Sequence, residues 1–374
     1  MFKENLLDEK KIHIGLFLPS LVGGGAERVM LNLAKQFLRR GIKVDLILVN
    51  EKGELVNQIP PGVNVIDFKA KRMFYSLPKM ILYLRKYQPD YLLSSLDLAN
   101  LISILVVKVS RLSTKVIVRL VANLPSLKFS QFKKRFERWL LGKLLPQADK
   151  IISISKGTAQ NFSEILPVNS ADIEVIYNPI ISDALIFAAN EQISFSGFNI
   201  KNTSFILGVG RLVPVKDFFS LIKAFSIVRK KKKVKLVILG EGELRVELEK
   251  LVSDLGLTED VYIPGYISNP YPFMKYASVF VLSSAREGLG NVIIEAMACG
   301  CPVVATDCKS GPRELLNDGE YGHLVKVEDV EAIANAISQV LNGGGKVVPP
   351  EWLEQYKIEK VTQQYLDAIR SLKK

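Results

Sequence analysis

The sequence has little that would staple, ligate or anchor a chain. Its 374 residues include three cysteines and two histidines. Cys299, Cys301 and Cys308 fall within ten residues of one another. An odd, low count argues against a disulfide framework and fits a reducing compartment. C-x-C followed by a third cysteine has a sharper reading as a metal site. No C-x-x-C spacing occurs, however, and His13 and His323 are the only histidines, so small buried cysteines at a helix end are expected instead. No run approaches 18 apolar residues without charge, so no transmembrane helix is expected. The opening MFKENLLDEKK is charged and has no apolar stretch of the secretory kind. A cytoplasmic protein is expected, peripheral at most on the inner face of the cell membrane. Short-period repeats and long low-complexity tracts are also missing.

What is present is an ordinary globular composition, 48% hydrophobic and 24% charged, with a length that suits two domains. The net charge of +12 is unevenly placed. Residues 1–180 carry 27 Lys/Arg against 15 Asp/Glu, and the rest of the chain balances. A basic half suits a polyanionic partner: an anionic membrane surface, a phosphorylated substrate or nucleic acid. A lysine-rich solvated surface would look the same.

Near-continuous apolar runs alternate with helical stretches. Seven lie in the first half (12–18, 43–49, 63–68, 90–95, 115–120, 150–155 and 173–177) and five in the second (204–210, 234–240, 261–265, 278–284 and 302–306). Such runs read as strands buried on both faces of a parallel sheet, and the helices between them as βαβ crossovers. The fold class expected is therefore α/β, with two doubly wound Rossmann-like domains. The irregular stretch 178–203 would hold the boundary. Residues 1–185 are expected as the first domain and 186–348 as the second. A loose NGGGKVVPPEW segment leads to a terminal helical piece at 349–374.

Ligands of such sheets bind beyond the carboxyl ends of the strands, and three loops there stand out. The first contains Gly23, Gly24 and Gly25 before a helix, where backbone can approach a phosphate and the helix dipole favours it. It is neither G-x-G-x-x-G nor G-x-x-x-x-G-K-[ST], so neither a dinucleotide fingerprint nor a P-loop is supported. A turn that only packs helix on sheet remains an alternative. The second is GVGRLVPVKDF, in which Arg211 and Lys216 could neutralise a diphosphate. The third is REGLGNVIIEAMACG. It reads as a loop holding Glu287, then a helix holding Glu295 one turn in, closed by Gly300 at C′ and Pro302 beyond. The helix start at Gly290, Asn291 and Val292 between the two acids suits an anion. Acids flanking an anion should accept hydroxyl hydrogen bonds, so a ligand of the form sugar–diphosphate–ribose fits.

That third stretch resembles the E-x7-E motif of the family 4 retaining glycosyltransferases, which have the GT-B fold. GGGAERV, YNPI, GRLVPVKDF, GEGEL, GYISNPY, SGPREL and the terminal helix extend the resemblance over nearly the whole chain. The resemblance implies two facing Rossmann-like domains, the first binding acceptor and the second a nucleotide-sugar donor, with the terminal helix returning to the first. It implies that Arg211 and Lys216 hold the diphosphate and that Glu287 contacts the transferred sugar. Backbone at Leu289, Gly290, Asn291 and Val292 would hold phosphate and sugar, Glu295 the ribose and backbone near Ile267 the base. The SGPREL form is similar to bacterial surface-glycan transferases that use UDP-sugars or UDP-N-acetylhexosamines. Many relatives carry a histidine after the strand matching KVIVRL. Here Ala122 and Asn123 stand in that stretch, so Asn123 becomes a candidate for the sugar or acceptor. His13, within a strand, and His323, in a DGEYGHL turn, are expected to be structural. No D-x-D triplet occurs, so no metal is required, and the nucleotide-sugar is a substrate rather than a cofactor.

Residues 126–145 hold six basic residues and one acid, with Phe129, Phe132, Phe136, Leu140 and Leu144 at helical spacing. Such a helix either lies on an anionic bilayer or packs its apolar face on the first sheet. Both readings leave a positive surface beside the acceptor domain, suited to a lipid-diphosphate-linked glycan. A nucleotide-sugar epimerase of similar build is the alternative enzyme. It would want several acid/base groups around one sugar, and these are not evident. A nucleic-acid-binding protein is suggested only by charge, with no motif or aromatic platform behind it.

Overall fold

A computed structural model describes residues 12–22, 24–122, 124, 132–192 and 195–373. Gly23, Asn123, Phe129 and the MFKENLLDEKK stretch therefore lie outside the described residues. The chain forms two compact units. One comprises the residues up to Pro179 together with those from Tyr356 onward, and the other Ile180–Gln355. The crossings thus fall at 179 and 356, against the expected 185 and 349. Local chemistry accounts for the offset. Ser182 caps the helix Asp183–Ala188, and the Ala188 carbonyl of that helix accepts from Asn269 of the second unit. Trp352 Nε1 donates to the Leu315 carbonyl at 2.9 Å, tying 350–353 to the second unit as well.

The first unit is built on β1 (His13–Leu18), β2 (Lys43–Leu48), β3 (Asn64–Asp67), β4 (Tyr91–Ser95), β5 (Lys115–Leu120), β6 (Lys150–Ser153) and β7 (Ile173–Val175). The strands pair in parallel in the order β3-β2-β1-β4-β5-β6-β7. Buried runs such as β1, covered at all six positions, reflect helices on both faces. The helices are α1 (Gly25–Arg39), α2 (Leu77–Tyr87), α3 (Asp97–Ser110), α4 (Phe132–Leu144), α5 (Lys156–Ile165) and, at the end of the chain, α14 (Ile358–Arg370). Right-handed crossovers put α1 on one face and α2, α3 and α4 on the other. Met80, Tyr83 and Leu84 of α2 share a core cluster with Ile102 and Val106 of α3, while Leu141 and Leu144 of α4 share one with Leu101 and Ile104 of α3. The terminal α14 packs against α1.

Two buried polar clusters organise this unit. Asp45, fully buried on β2, accepts from Tyr83 (2.8 Å) and Asn64 (3.0 Å) and bonds His13 Nε2 at 2.8 Å. Burial alone would raise the Asp45 pKa. Hydrogen bonds from His13, Asn64 and Tyr83 outweigh it, and the net shift is downward. Arg119, also fully buried, donates to Tyr365 of α14 (2.7 Å), Asn178 (2.8 Å) and Ser95 (3.2 Å). One guanidinium thus fastens the residues beside the first crossing and the helix after the second. In the sequence alone, Arg119 reads only as part of the strand at 115–120.

The second unit is built on β8 (Phe205–Val209), β9 (Lys235–Leu239), β10 (Val261–Gly265), β11 (Val279–Leu282), β12 (Val303–Thr306) and β13 (His323–Val325). They are parallel in the order β10-β9-β8-β11-β12-β13. Its helices are α6 (Asp183–Ala188), α7 (Phe218–Arg229), α8 (Arg245–Asp254), α9 (Tyr271–Tyr276), α10 (Asn291–Ala298), α11 (Pro312–Leu315), α12 (Val330–Gln339) and α13 (Pro350–Leu353). His323 corrects an expectation: it opens an edge strand rather than lying in a turn, and its Nε2 bonds the Gly344 carbonyl at 2.9 Å. The stripe expected along 126–145 is not covered along its length. Leu144 is buried and Leu140 half-buried, whereas Phe136 is 61% exposed. Among the described residues no helix is long and apolar enough to cross a membrane.

Candidate functional site

In the second unit the strand order reverses between β8 and β11, where a doubly wound sheet opens a crevice at its carboxyl edge. The loops after these two strands carry Lys216 and Glu287, and the two side chains meet. Lys216 Nζ lies 2.6 Å from Glu287 Oε1, with the side chains 20% and 12% exposed. Ser284 Oγ donates to the same carboxylate oxygen at 2.7 Å.

The supports of this pair come from the end of β11. Ser283 Oγ donates to the Lys216 carbonyl at 2.8 Å, and Ala285 N–H to the Val215 carbonyl at 2.9 Å. Thr306, at the end of β12, donates to the Ser284 carbonyl at 2.6 Å. Asp217 holds the other end of the β8 loop. It adopts φ 46°, and its Oδ1 accepts from Ser220 N–H at the start of α7. The GEGEL turn closes over the same loop: Leu212 N–H donates to the Glu241 carbonyl at 2.8 Å and Leu244 N–H to the Leu212 carbonyl at 3.0 Å. Ser283, Ser284, Thr306 and Asp217 were missed in the sequence reading. The adjacent hydroxyls ending an otherwise apolar strand, in VFVLSS, were the signal available.

Glu295 sits half-buried at the fifth position of α10, and Glu287 three residues before its N-cap, Gly290. The N-cap of α10 is a glycine and supplies no side-chain cap, and the first turn of Asn291 and Val292 carries the positive dipole end. Leu289 is buried, and Gly311 of the SGPREL loop lies against it. A Cβ at Gly311, where φ is +79°, would fall 2.0 Å from the Leu289 carbonyl oxygen. The helix closes as expected: Gly300 N–H bonds the Met297 carbonyl and Cys301 N–H the Ala296 carbonyl, both at 3.0 Å, a Schellman pair.

Arg211 is exposed on the β8 loop. Ile267 is half-buried in the loop after β10, two strands from β8 and so roughly 10 Å across the sheet. The carboxyl edge therefore lines up Ile267, the two cations, and the Glu287–α10 loop, the span of an extended ligand. The three cysteines are in no disulfide. Burial, then the Glu295 charge, pushes the Cys299 thiol up to about 12. Burial, then the Glu287 charge, does the same to Cys308. Cys301 is raised by burial as well. All three stay protonated at neutral pH. Among the described residues no group of three or more His, Cys, Asp or Glu converges as a metal-ligand set.

In the first unit Gly24 is the N-cap of α1 and Gly25 its first residue. A Cβ at Gly24 would lie 2.3 Å from Glu27 Oε2, so the first turn of this helix carries a carboxylate of its own.

The group described as "Glycosyl transferases group 1" matches residues 190–351, and "Glycosyltransferase Family 4" matches residues 23–183. Over 341 residues the chain is 34% identical to the N-acetylgalactosamine-N,N'-diacetylbacillosaminyl-diphospho-undecaprenol 4-alpha-N-acetylgalactosaminyltransferase of Campylobacter jejuni, covering 88% of this chain and 90% of that one. It is 29% identical to the capsular polysaccharide biosynthesis glycosyltransferase CapM of Staphylococcus aureus, over 82% and 83% of the two chains. In fold it is similar to Anabaena HepE solved in complex with UDP-glucose. The TM-score is 0.80 at 20% identity, with 96% of this chain and 100% of that one covered.

Proposed function

The chain belongs to the group 1 glycosyltransferases, and from that membership we propose that it moves a hexosyl or N-acetylhexosaminyl group from a UDP-sugar to a glycan carried on a lipid diphosphate. The proposal includes retention of anomeric configuration, no requirement for a bound metal and no cofactor. The observation that carries it is the Lys216–Glu287 pair at the switch point of the second unit, beside the glycine-led start of α10. The lipid-linked acceptor and the aminosugar are suggested by the Campylobacter relative, whose name specifies both.

The chemistry follows from where charge develops. Breaking the anomeric C–O bond leaves its electron pair on the diphosphate. Lys216, Arg211 and the α10 N–H groups would stabilise that charge as it forms. Cations on the β8 loop would do so without a metal ion. Glu287 would accept from hydroxyls of the transferred sugar, Glu295 from the ribose, and backbone near Ile267 would read the base. The acceptor hydroxyl would attack from the face that UDP leaves, through an oxocarbenium-like state. Such an acceptor is held in a bilayer, and the reaction would take place at the inner face of the cell membrane. Gly24 and Gly25 would work on the acceptor side. Gly23 and Asn123, assigned there by sequence, lie outside the described residues.

The test is a thermal-shift panel of UDP-, GDP- and ADP-sugars, followed by transfer to a lipid-diphosphate glycan with and without EDTA. NMR of the product gives its anomeric configuration. UDP-sugars should stabilise, transfer should survive EDTA, and the configuration should match the donor. An inverted product, or loss of transfer in EDTA, would overturn the corresponding part. Epimerised donor formed without any acceptor would replace the whole reading by the epimerase.

A further inference from the structure

The helices α2, α3 and α4 stand side by side on one face of the first sheet, and their outward side is unlike the rest of the surface. Among the described residues, ten large apolar side chains are more than half exposed, and six of them belong to this layer. Phe74 and Tyr75 lie in the turn Met73–Ser76 that leads into α2 and Leu82 within it, Val109 is on α3, and Phe136 and Trp139 are on α4. The rings of Phe136 and Trp139 stack at 5.8 Å, both facing solvent. Monomeric soluble proteins rarely gather exposed apolar groups in this way without a use for them.

Charge says what covers this face. The three helices carry nine Lys/Arg against two Asp/Glu, and the 69–76 segment adds three more basic residues and no acid. A protein partner's apolar patch would gain nothing from such one-sided charge, whereas an anionic lipid surface would. Aromatic rings among basic side chains also match the headgroup region, where rings sit at the boundary and cations meet phosphates. A cleft of about 530 Å³ opens beside α4, lined by Arg135, Arg138, Trp139 and Lys143 of that helix and by Leu166 and Pro167. That pairing of cations with apolar side chains suits a phospholipid headgroup and the start of its chains.

We propose that the outer face of α2, α3 and α4 seats the protein on an anionic phospholipid bilayer, with Phe74, Tyr75, Phe136 and Trp139 entering the headgroup layer. The purpose of this seat rests on the membrane-held acceptor proposed above, but its existence needs neither donor nor acceptor. Flotation with phosphatidylcholine vesicles, with and without phosphatidylglycerol, separates the two questions. The wild-type protein should float with the anionic vesicles, less so as salt is raised, and stay behind with neutral ones. Arg135→Glu/Arg138→Glu should lose at least about tenfold in vesicle affinity, each basic residue being worth roughly fivefold near such a surface. Phe136→Ser/Trp139→Ser should lose a comparable factor. Thermal unfolding should be unchanged in the aromatic variant, whose replaced side chains are more than half exposed. Donor hydrolysis in vesicle-free solution should also persist. Wild-type protein that ignores anionic vesicles overturns the proposal, as do variants that float as well as it does. A wild-type dimer that the aromatic variant makes monomeric would assign the face to a second copy of the chain instead.

Discussion

Replacing Lys216 by methionine tests the centre of the site. The ammonium lies 2.6 Å from a Glu287 carboxylate that is 12% exposed. Without donor, the variant loses a charge-assisted hydrogen bond of about 1.5–3 kcal/mol, and the lower part of that range applies because neither side chain is wholly buried. With donor, on the proposed reading, it also loses a cation that would face the diphosphate. Affinity for UDP should then fall by roughly 10- to 150-fold, the same 1.5–3 kcal/mol expressed as a ratio. Turnover should fall by about 100- to 1,000-fold if the cation serves the leaving group. Calorimetric titration with UDP and single-turnover transfer measure the two losses separately. Thermal unfolding of Lys216→Met, Glu287→Gln and the double variant completes a cycle in which the double loss should be smaller than the sum of the singles by about 0.5–3 kcal/mol. Wild-type UDP affinity and turnover in Lys216→Met would refute the assignment of Lys216. Strict additivity in the cycle would refute the ion pair.

Two other expectations concern the frame of each unit. Gly311→Ala places a Cβ 2.0 Å from the Leu289 carbonyl at a φ of +79°. It should cost at least about 1–3 kcal/mol, lower the Tm of the second unit, and weaken UDP-sugar binding through the displaced loop. Unchanged Tm and affinity would mean that the two loops are not in contact. Asp45→Asn should lower Tm at neutral pH. Because the folded Asp45 pKa is depressed, its contribution is full above the ordinary carboxylate value near 4 and is lost as pH falls through the folded value. The Tm gap between wild type and variant should therefore close on acidification, and a constant gap in a pH series would contradict the assigned network.

The first twelve strands were legible because the segments that hold them write near-continuous apolar runs, most of them covered on both faces. β13 was not, since three half-buried residues at a sheet edge make no such run. The placement of Glu287 in a loop and Glu295 in a helix could be read from Gly288, Gly290 and the Gly300–Pro302 stop, each of which acts on local backbone. The contact between Glu287 and Lys216 could not, since 71 residues separate them and strand order alone makes them neighbours. Ser283, Ser284 and Thr306 escaped for a similar reason: a small buried hydroxyl has no periodicity or charge to announce it. The helix 126–145 misled because spacing shows which residues share a stripe, not how far along it the protein's own core extends.

Arg119 has a consequence for the order in which the chain can fold as it is synthesised. Ser95 and Asn178 emerge early, but the Tyr365 hydroxyl that receives its Nε lies on the far side of the second unit in sequence. Ile180–Gln355 must be made in between, which at roughly 5–20 residues per second takes on the order of ten to thirty-five seconds. During that interval a cation destined for full burial has neither Tyr365 nor the apolar cover of α14. The first unit is thus completed only after the second has been synthesised, and a chain lacking α14 would carry the defect permanently.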